Sequence, residues 1–218
     1  MVYLTLERVP RALTAPPRAS EMIRALADHL RNPPLISTFA IGFCILFAFI
    51  GTFTYVNFVL ARPPIGLGMM AIGFAYFVFL PSMFTTPMAG GFVRRFGSRM
   101  TVSGGLFVAL AGLPLLIAPS LAPVVVGLTL VGVGTFFAQA VATGFVGRVA
   151  MTNRGAASGL YLASYFSGGL IGSAVLGPIF DRFGWPACVL GIGLALAVAM
   201  VLATRIESAP AGEGHASE

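Results

Sequence analysis

The side chains best suited to chemistry in this 218-residue chain are uncharged and lie within long apolar segments. Two are amides and the others are hydroxyl groups. Such groups are costly in an apolar environment and need hydrogen-bond partners. They fit either contacts between neighbouring helices or contacts with a bound solute, and the sequence leaves both alternatives open. The candidates are Thr52, Tyr55, Asn57, Tyr76, Gln139, Tyr161, Ser164 and Tyr165.

No pattern typical of an enzyme accompanies these residues. The chain contains no lysine, so it has no phosphate-binding loop of the GxxxxGK type. Gly132-x-Gly134 and Gly191-x-Gly193 lack a third glycine and lie in apolar segments, unlike nucleotide-binding fingerprints. No Ser/His/Asp set or metal-ligand cluster falls within the apolar segments. The sequence therefore predicts no enzymatic activity, no cofactor and no metal site.

The composition indicates which solvent surrounds these segments. Hydrophobic residues make up 57% of the chain and charged residues only 9%, far from the values of soluble domains. A chain of this length would leave much of its apolar surface in water, so the solvent must be lipid. The net charge of +6 comes from arginines in short connections. That placement fits membrane orientation better than nucleic-acid binding.

Six apolar segments are each long enough to cross a hydrocarbon layer of roughly 30 Å at about 1.5 Å per residue. Turn-forming or charged residues separate them, and their bounds are 35–60, 66–89, 101–118, 121–147, 157–180 and 186–204. The sequence thus predicts an all-α membrane protein with a six-helix transmembrane bundle over residues 35–205. Residues 1–34 are predicted to form a cytoplasmic linker-like segment with a short amphipathic helix at 20–31. Residues 206–218 are predicted to be a disordered cytoplasmic tail.

The arginines are distributed unevenly between the two sides of this bundle. Every arginine except Arg62 and Arg182 lies in the amino-terminal region, the second or fourth connection, or the tail. Positively charged connections remain in the cytoplasm. This distribution predicts that both termini are cytoplasmic.

Two turns share one pattern and suggest an internal repeat. GGFVRRFG at residues 90–97 matches GPIFDRFG at residues 177–184 at an offset of 87. The matched positions of the second turn are Gly177, Asp181, Arg182 and Gly184. Each unit holds three segments, so the second copy must be inverted. Inverted three-plus-three repeats are typical of secondary transporters, which present their site alternately to either side.

Over about residues 30–205 the chain resembles the carboxy-terminal six-helix half of a major facilitator superfamily transporter. The first turn is similar to the cytoplasmic motif of that superfamily, Gly-xxx-Asp-Arg-x-Gly-Arg-Arg, at Gly90, Arg95, Gly97 and Arg99. Arg94 occupies the usual aspartate position and Ser98 an arginine position. The motif's carboxylate normally holds a neighbouring helix end, and this contact is therefore not expected here.

The stretches GTFTYVNF at 51–58, FFAQAVAT at 136–143, GLYLASYF at 159–166 and DRFGW at 181–185 are similar to bacterial efflux members of the drug:proton antiporter and sugar-efflux type. The resemblance implies alternating-access transport of a small solute across the bacterial inner membrane. It also implies that the first, second, fourth and fifth segments border the solute cavity. The third and sixth segments would then face lipid.

A complete member of the superfamily has about twice as many helices, which implies a partner. We expect a second six-helix bundle, supplied by a second copy in a homodimer or by a separate amino-terminal half. None of the six segments contains an acidic residue, so this bundle does not supply an ordinary proton-coupling site. The alternative is a non-transporting fragment or a structural or regulatory membrane subunit.

Overall fold

The computed structural model describes residues 28–150 and 153–206, and these residues are all helical or in short connections. Most of the predicted amphipathic helix at 20–31 and nearly all of the predicted tail lie outside the described residues. We number the helices α1 Pro33–Ala61, α2 Met69–Ala75, α3 Leu80–Thr85, α4 Ala89–Gly112, α5 Leu121–Val149, α6 Arg154–Phe183 and α7 Trp185–Ala203. Short 3-10 turns at Tyr76–Phe79, Thr86–Met88 and Leu113–Ile117 extend or join them.

Within the described residues, five helical stretches have the length and apolar composition needed to cross a membrane. They are Pro33–Ala61, Met69–Ile117, Leu121–Val149, Arg154–Phe183 and Trp185–Ala203. The all-helical membrane architecture agrees with the prediction. The count differs because the second and third predicted segments fall in one stretch of 49 residues.

The stretch Met69–Ile117 is not one regular helix. Prolines at positions 81, 87 and 114 lie at the starts of α3 and of the 3-10 turns, where a missing N–H is tolerated. Gly97 leaves the helical region altogether, with φ 78° and ψ 165°. Glycine adopts this left-handed φ without the steric cost of a Cβ atom. The chain therefore changes direction at Gly97.

Helices α1 and α6 pack along their length and run parallel. Successive contacts join a residue of α1 to the residue 125 positions later: Phe39 with Ser164, Phe43 with Gly168, Phe47 with Gly172, Gly51 with Leu176, and Tyr55 with Phe180. A constant offset requires the two helices to run in the same direction. Gly168 permits the close approach, because a Cβ atom there would overlap the Phe43 carbonyl oxygen.

Helices α4 and α5 pack through two glycine pairs and run antiparallel. A Cβ atom on Gly105 would lie 2.9 Å from the Gly134 carbonyl oxygen, and one on Gly112 would lie 2.7 Å from the Gly127 carbonyl oxygen. As the residue number increases along α4, the number of its contact residue on α5 decreases. The two helices therefore run in opposite directions. Small residues at these positions let the two backbones approach closely.

The 3-10 turn that follows α4 is hydrogen-bonded to the start of α7. The Trp185 indole N–H donates a 2.8 Å hydrogen bond to the Leu116 carbonyl oxygen, and Trp185 is buried. On α7, exposed apolar side chains recur every three or four residues at Leu190, Leu194, Val198 and Val201. This spacing places them on one helical face, as expected for a surface in contact with lipid.

Candidate functional site

Asn57 on α1 and Tyr76 in the 3-10 turn that follows α2 form a polar pair. The Asn57 amide donates to the Tyr76 hydroxyl oxygen at 2.8 Å, and the Tyr76 hydroxyl lies 3.1 Å from Asn57 Oδ1. The same amide donates to the Phe53 carbonyl oxygen at 2.8 Å. Tyr76 is 40% exposed, so the pair lies at the surface of the bundle. The structure thus brings together two of the residues that the sequence singled out.

A cluster of four phenylalanines, which the sequence reasoning missed, adjoins this pair through Phe53 and Phe79, and Phe53 itself is buried. Phe53 and Phe79 have ring centroids 4.6 Å apart, and Phe53 and Phe49 have centroids 4.7 Å apart. Phe136 on α5 packs edge-on against both Phe49 and Phe79. The only signal for this cluster was the helical i, i+4 spacing of Phe49 and Phe53. We call the six residues Phe49, Phe53, Asn57, Tyr76, Phe79 and Phe136 the polar–aromatic surface.

Gln139, Tyr161 and Tyr165 form a second group between α5 and α6. The Tyr161 hydroxyl donates a 2.6 Å hydrogen bond to Gln139 Oε1. Tyr161 is only 1% exposed, and its ring stacks on Tyr165 with centroids 6.2 Å apart. This group joins two helices, as one of the two interpretations of the sequence required.

The other candidate residues lie at the interface of α1 with α6 or inside the core. The Tyr55 hydroxyl donates to the Ser173 carbonyl oxygen at 2.6 Å, and the Ser164 hydroxyl donates to the Phe39 carbonyl oxygen at 2.9 Å. Thr52 is fully buried, and its hydroxyl has no hydrogen-bond partner among the described residues.

Two hollows of very different size lie beside the polar pair. A hollow lined by Asn57 and Tyr76 has a volume of only about 10 Å³, which is no larger than one water molecule needs. Another hollow, of about 240 Å³, is lined by Tyr76, Phe79 and Met83.

The arginine turn lies where α4 bends. Arg94, Arg95 and Arg99 are exposed, and the Arg95 guanidinium lies 5.2 Å from the centroid of the Phe96 ring. Gly90 lies one turn before Arg94 on the same helix. Gly97 supplies the bend that separates the two halves of the turn.

Ser98, which departs from the superfamily motif, has a partner that the sequence did not reveal. Arg148 at the end of α5 donates a 3.0 Å hydrogen bond to the Ser98 hydroxyl oxygen. Ser98 is 6% exposed, so this contact fixes the buried side of the turn against α5.

The repeat-related turn has the same backbone conformation at its last glycine. Gly184 has φ 76° and ψ −174°, close to the values of Gly97. Asp181 and Arg182 are exposed, and a Cβ atom on Gly177 would lie 3.0 Å from the Tyr55 hydroxyl oxygen. Both predicted turns therefore end one helix and begin the next through a left-handed glycine.

These features define a helical membrane protein with uncharged polar groups on its helices. The family model described as Major Facilitator Superfamily matches residues 63–218. The chain belongs to the major facilitator superfamily, which confirms the resemblance seen in the sequence.

Three relatives illustrate this membership. Over 178 residues the chain is 32% identical to the uncharacterized MFS-type transporter YybF of Bacillus subtilis, covering 82% of this chain and 44% of that protein. It is 30% identical to the inner membrane transport protein YnfM of Escherichia coli, covering 82% and 43%. It is 29% identical to an uncharacterized transporter of Buchnera aphidicola, covering 72% and 37%. The chain spans less than half the length of the curated relatives that it matches.

Proposed function

We propose that this chain forms one six-helix half of a secondary transporter that moves a small solute by alternating access. Membership of the major facilitator superfamily supports transport in general. The observation that carries the more specific proposal is the uncharged polar–aromatic surface, which is partly exposed at Tyr76 and half-buried at Asn57. Rocking of two bundles around such a surface would expose it to each side of the membrane in turn.

The directions of the helices support six crossings. If Met69–Ile117 crossed the membrane once, then this stretch, α5 and α6 would be the second, third and fourth crossings. An even-numbered crossing runs opposite to α1, so α6 would be antiparallel to α1. The constant-offset contacts make α1 and α6 parallel. If Met69–Ile117 instead crosses twice and bends at Gly97, α6 becomes the fifth crossing and runs parallel to α1.

An inverted repeat of two three-helix units is supported by three further correspondences. Helices α1 and α5 each contain 29 residues. Gly97 and Gly184, which the offset of 87 aligns, share a left-handed φ and an extended ψ. Each is followed by the third apolar helix of its unit.

The proposed partner is a second six-helix bundle, either another copy of this chain or a separate amino-terminal half. The small volume beside Asn57 supports this requirement, because a solute path needs a facing wall. The curated relatives are more than twice as long as the matched region.

The proposed solute is small, amphipathic and drug-like, and the proposed direction is efflux. The partly exposed rings of Phe49, Phe79 and Phe136 offer apolar contact area, while one amide and one phenol can orient a polar group. No charged side chain belongs to this surface. Aromatic rings favour a planar solute over a sugar, whose hydroxyl groups would require more hydrogen-bond partners.

The proposed location is the bacterial inner membrane with both termini in the cytoplasm. The arginines at positions 94, 95, 99, 148, 154 and 205 lie near the bend or the helix ends that would then face the cytoplasm. Arg62 and Arg182 would lie at the opposite face.

Flux measurements in reconstituted vesicles test the proposal. Ethidium serves as a planar aromatic probe and radiolabelled lactose as a sugar probe. We expect ethidium efflux from vesicles that hold the chain as a dimer or with an amino-terminal half. The double substitution Asn57→Ala/Tyr76→Phe should lower the rate at least about fivefold, because it removes the polar groups that orient the solute. Thr129→Val is the matched control, since Thr129 bonds only within its own helix at Val125.

The outcomes separate the parts of the proposal. Transport of lactose without ethidium would contradict the aromatic solute class and leave transport standing. Absence of flux for both probes in every pairing would favour the second candidate, a non-transporting structural or regulatory subunit. The observation that favours this candidate is the absence of acidic residues from the predicted segments.

A further inference from the structure

An apolar groove is lined by residues of α4, of α5 and of the chain just before α4. It has a volume of about 510 Å³, and the residues that line it before α4 are Thr85 and Met88. None of the proposed solute-contacting residues lines it. Its walls are mainly Met88, Phe92, Phe96, Met100 and Phe137. The groove therefore calls for a separate explanation.

Three glycines, Gly104, Gly105 and Gly134, line part of the groove. Gly105 and Gly134 face each other there at the close approach of α4 and α5. Gly104 also lines the groove, and a Cβ atom added to it would meet no atom within 4 Å. The space above Gly104 is thus open along the helix.

Arginines stand at one end of this groove. A second hollow of about 440 Å³ shares Met88, Phe92 and Phe96 with the groove and is lined by Arg94 and Arg95. Phe96 holds the Arg95 guanidinium through a cation–π contact. The Arg94 guanidinium nitrogens lie 3.9 Å from where Cβ atoms on Gly90 and Gly91 would be, so this side chain lies along its own helix.

No residue that lines the two hollows neutralises the positive charge of Arg94 and Arg95. Among the described residues that form them there is no acidic side chain. Asp181, one of two acidic residues in the described part of the chain, lies near the carboxyl end of α6. Arg148 is engaged with Ser98 beside the same turn and adds to the positive charge.

We propose that this groove binds one anionic phospholipid, with an acyl chain along Gly104 and the phosphate on Arg94 and Arg95. Met88 and Met100 in the groove are more than half exposed, and their flexible side chains can adapt to an acyl chain. From Gly97 to Val108, α4 advances about 16 Å at 1.5 Å per residue, which suits an extended chain. Basic pockets between membrane helices attract anionic headgroups.

Native mass spectrometry of the delipidated full chain in mild detergent tests this site. Phosphatidylglycerol and phosphatidylcholine with identical acyl chains are titrated in parallel. We expect phosphatidylglycerol to bind at least about tenfold more tightly. Arg94→Gln/Arg95→Gln should weaken its binding about thirtyfold, since each basic residue near an anionic headgroup contributes several-fold. Gly104→Leu should weaken both lipids, because its side chain would occupy the acyl position.

Matched variants complete the test. The control Arg62→Gln/Arg182→Gln removes the same amount of charge at the proposed opposite face. The control Gly159→Leu enlarges another glycine whose Cβ position is open. Both variants should bind each lipid with an affinity within about twofold of that of the unchanged chain. The single substitutions Arg94→Gln and Arg95→Gln, each expected to weaken binding about fivefold, serve if the double variant does not fold. Equal binding of the two lipids, or full competition by inorganic phosphate alone, would overturn the proposal. The proposal would also be overturned if the chain formed a dimer that Gly104→Leu dissociates but added lipid does not. In that case the groove would hold a second copy of the chain.

Discussion

Tyr161 and Gln139 illustrate how individual polar residues are accommodated between these helices. The phenol is almost fully buried and directs its proton to the amide oxygen of the neighbouring helix at 2.6 Å. Asn57 and Tyr76 also satisfy each other, but they remain partly open at the surface. The two pairs therefore differ in exposure: the Tyr161 hydroxyl is enclosed between helices, whereas Tyr76 is open at the surface, as the proposed solute contact requires.

Tyr161→Phe should lower the stability of the bundle by about 1 kcal/mol, because Gln139 Oε1 loses its donor in a buried place. Thermal or denaturant unfolding in micelles measures this change. Tyr165→Phe is the matched control, as Tyr165 contributes its ring to the stack, and we expect little change. An equal loss in the two variants would show that the Tyr161 hydroxyl has no special role.

At the scale of whole helices, glycine determines which faces can meet. The pairs Gly105–Gly134 and Gly112–Gly127 bring the α4 and α5 backbones together, and Gly168 does the same for α6 against α1. Other glycines, such as Gly104, face open space. Identical residue types on one helix therefore have opposite consequences when replaced.

Gly134→Ala should destabilise the bundle by about 2 kcal/mol, because its methyl group would overlap Gly105 and Ala109 and force α4 and α5 apart. Gly104→Ala should leave stability unchanged or raise it by about 0.5 kcal/mol, since alanine favours a helix. Unfolding of both variants in the same detergent makes the comparison. The α4–α5 interface described above would be wrong if Gly134→Ala were tolerated as well as Gly104→Ala.

For the whole molecule, the parallel packing of α1 and α6 constrains how often the chain between them crosses the membrane. In the proposed six-crossing arrangement, the two left-handed glycines mark corresponding turns on opposite faces, and the uneven arginines predict its orientation. The proposed solute path needs a facing bundle, because the hollow that Asn57 lines has a volume of only about 10 Å³.

Single cysteines in a background with Cys44→Ala and Cys188→Ala test this topology. Arg99→Cys and Asn153→Cys should react with a membrane-impermeant thiol reagent only from the cytoplasmic side. Pro63→Cys and Arg182→Cys should react only from the other side, because an odd number of crossings separates them from the first pair. Labelling of positions 99 and 153 from different sides would exclude the six-crossing arrangement.

The membrane class and the apolar segments were predictable from the sequence because they depend on local composition and length. The turn at 90–97 and its counterpart at 177–184 were also visible, since glycine and arginine spacing is a local pattern. Superfamily membership followed from the same motifs and was confirmed. The candidate polar residues could be listed from the sequence, but their partners could not.

Tertiary structure alone decided which residues meet. Tyr161 pairs with Gln139 22 positions away, and Arg148 pairs with Ser98 50 positions away. The phenylalanine cluster and the groove above Gly104 likewise arise where separate helices approach each other. Such contacts depend on the rotation, direction and spacing of packed helices, and in lipid these are set by close packing and not by hydrophobic periodicity. A one-dimensional pattern therefore identifies the helices of this protein, while their three-dimensional packing determines its surfaces.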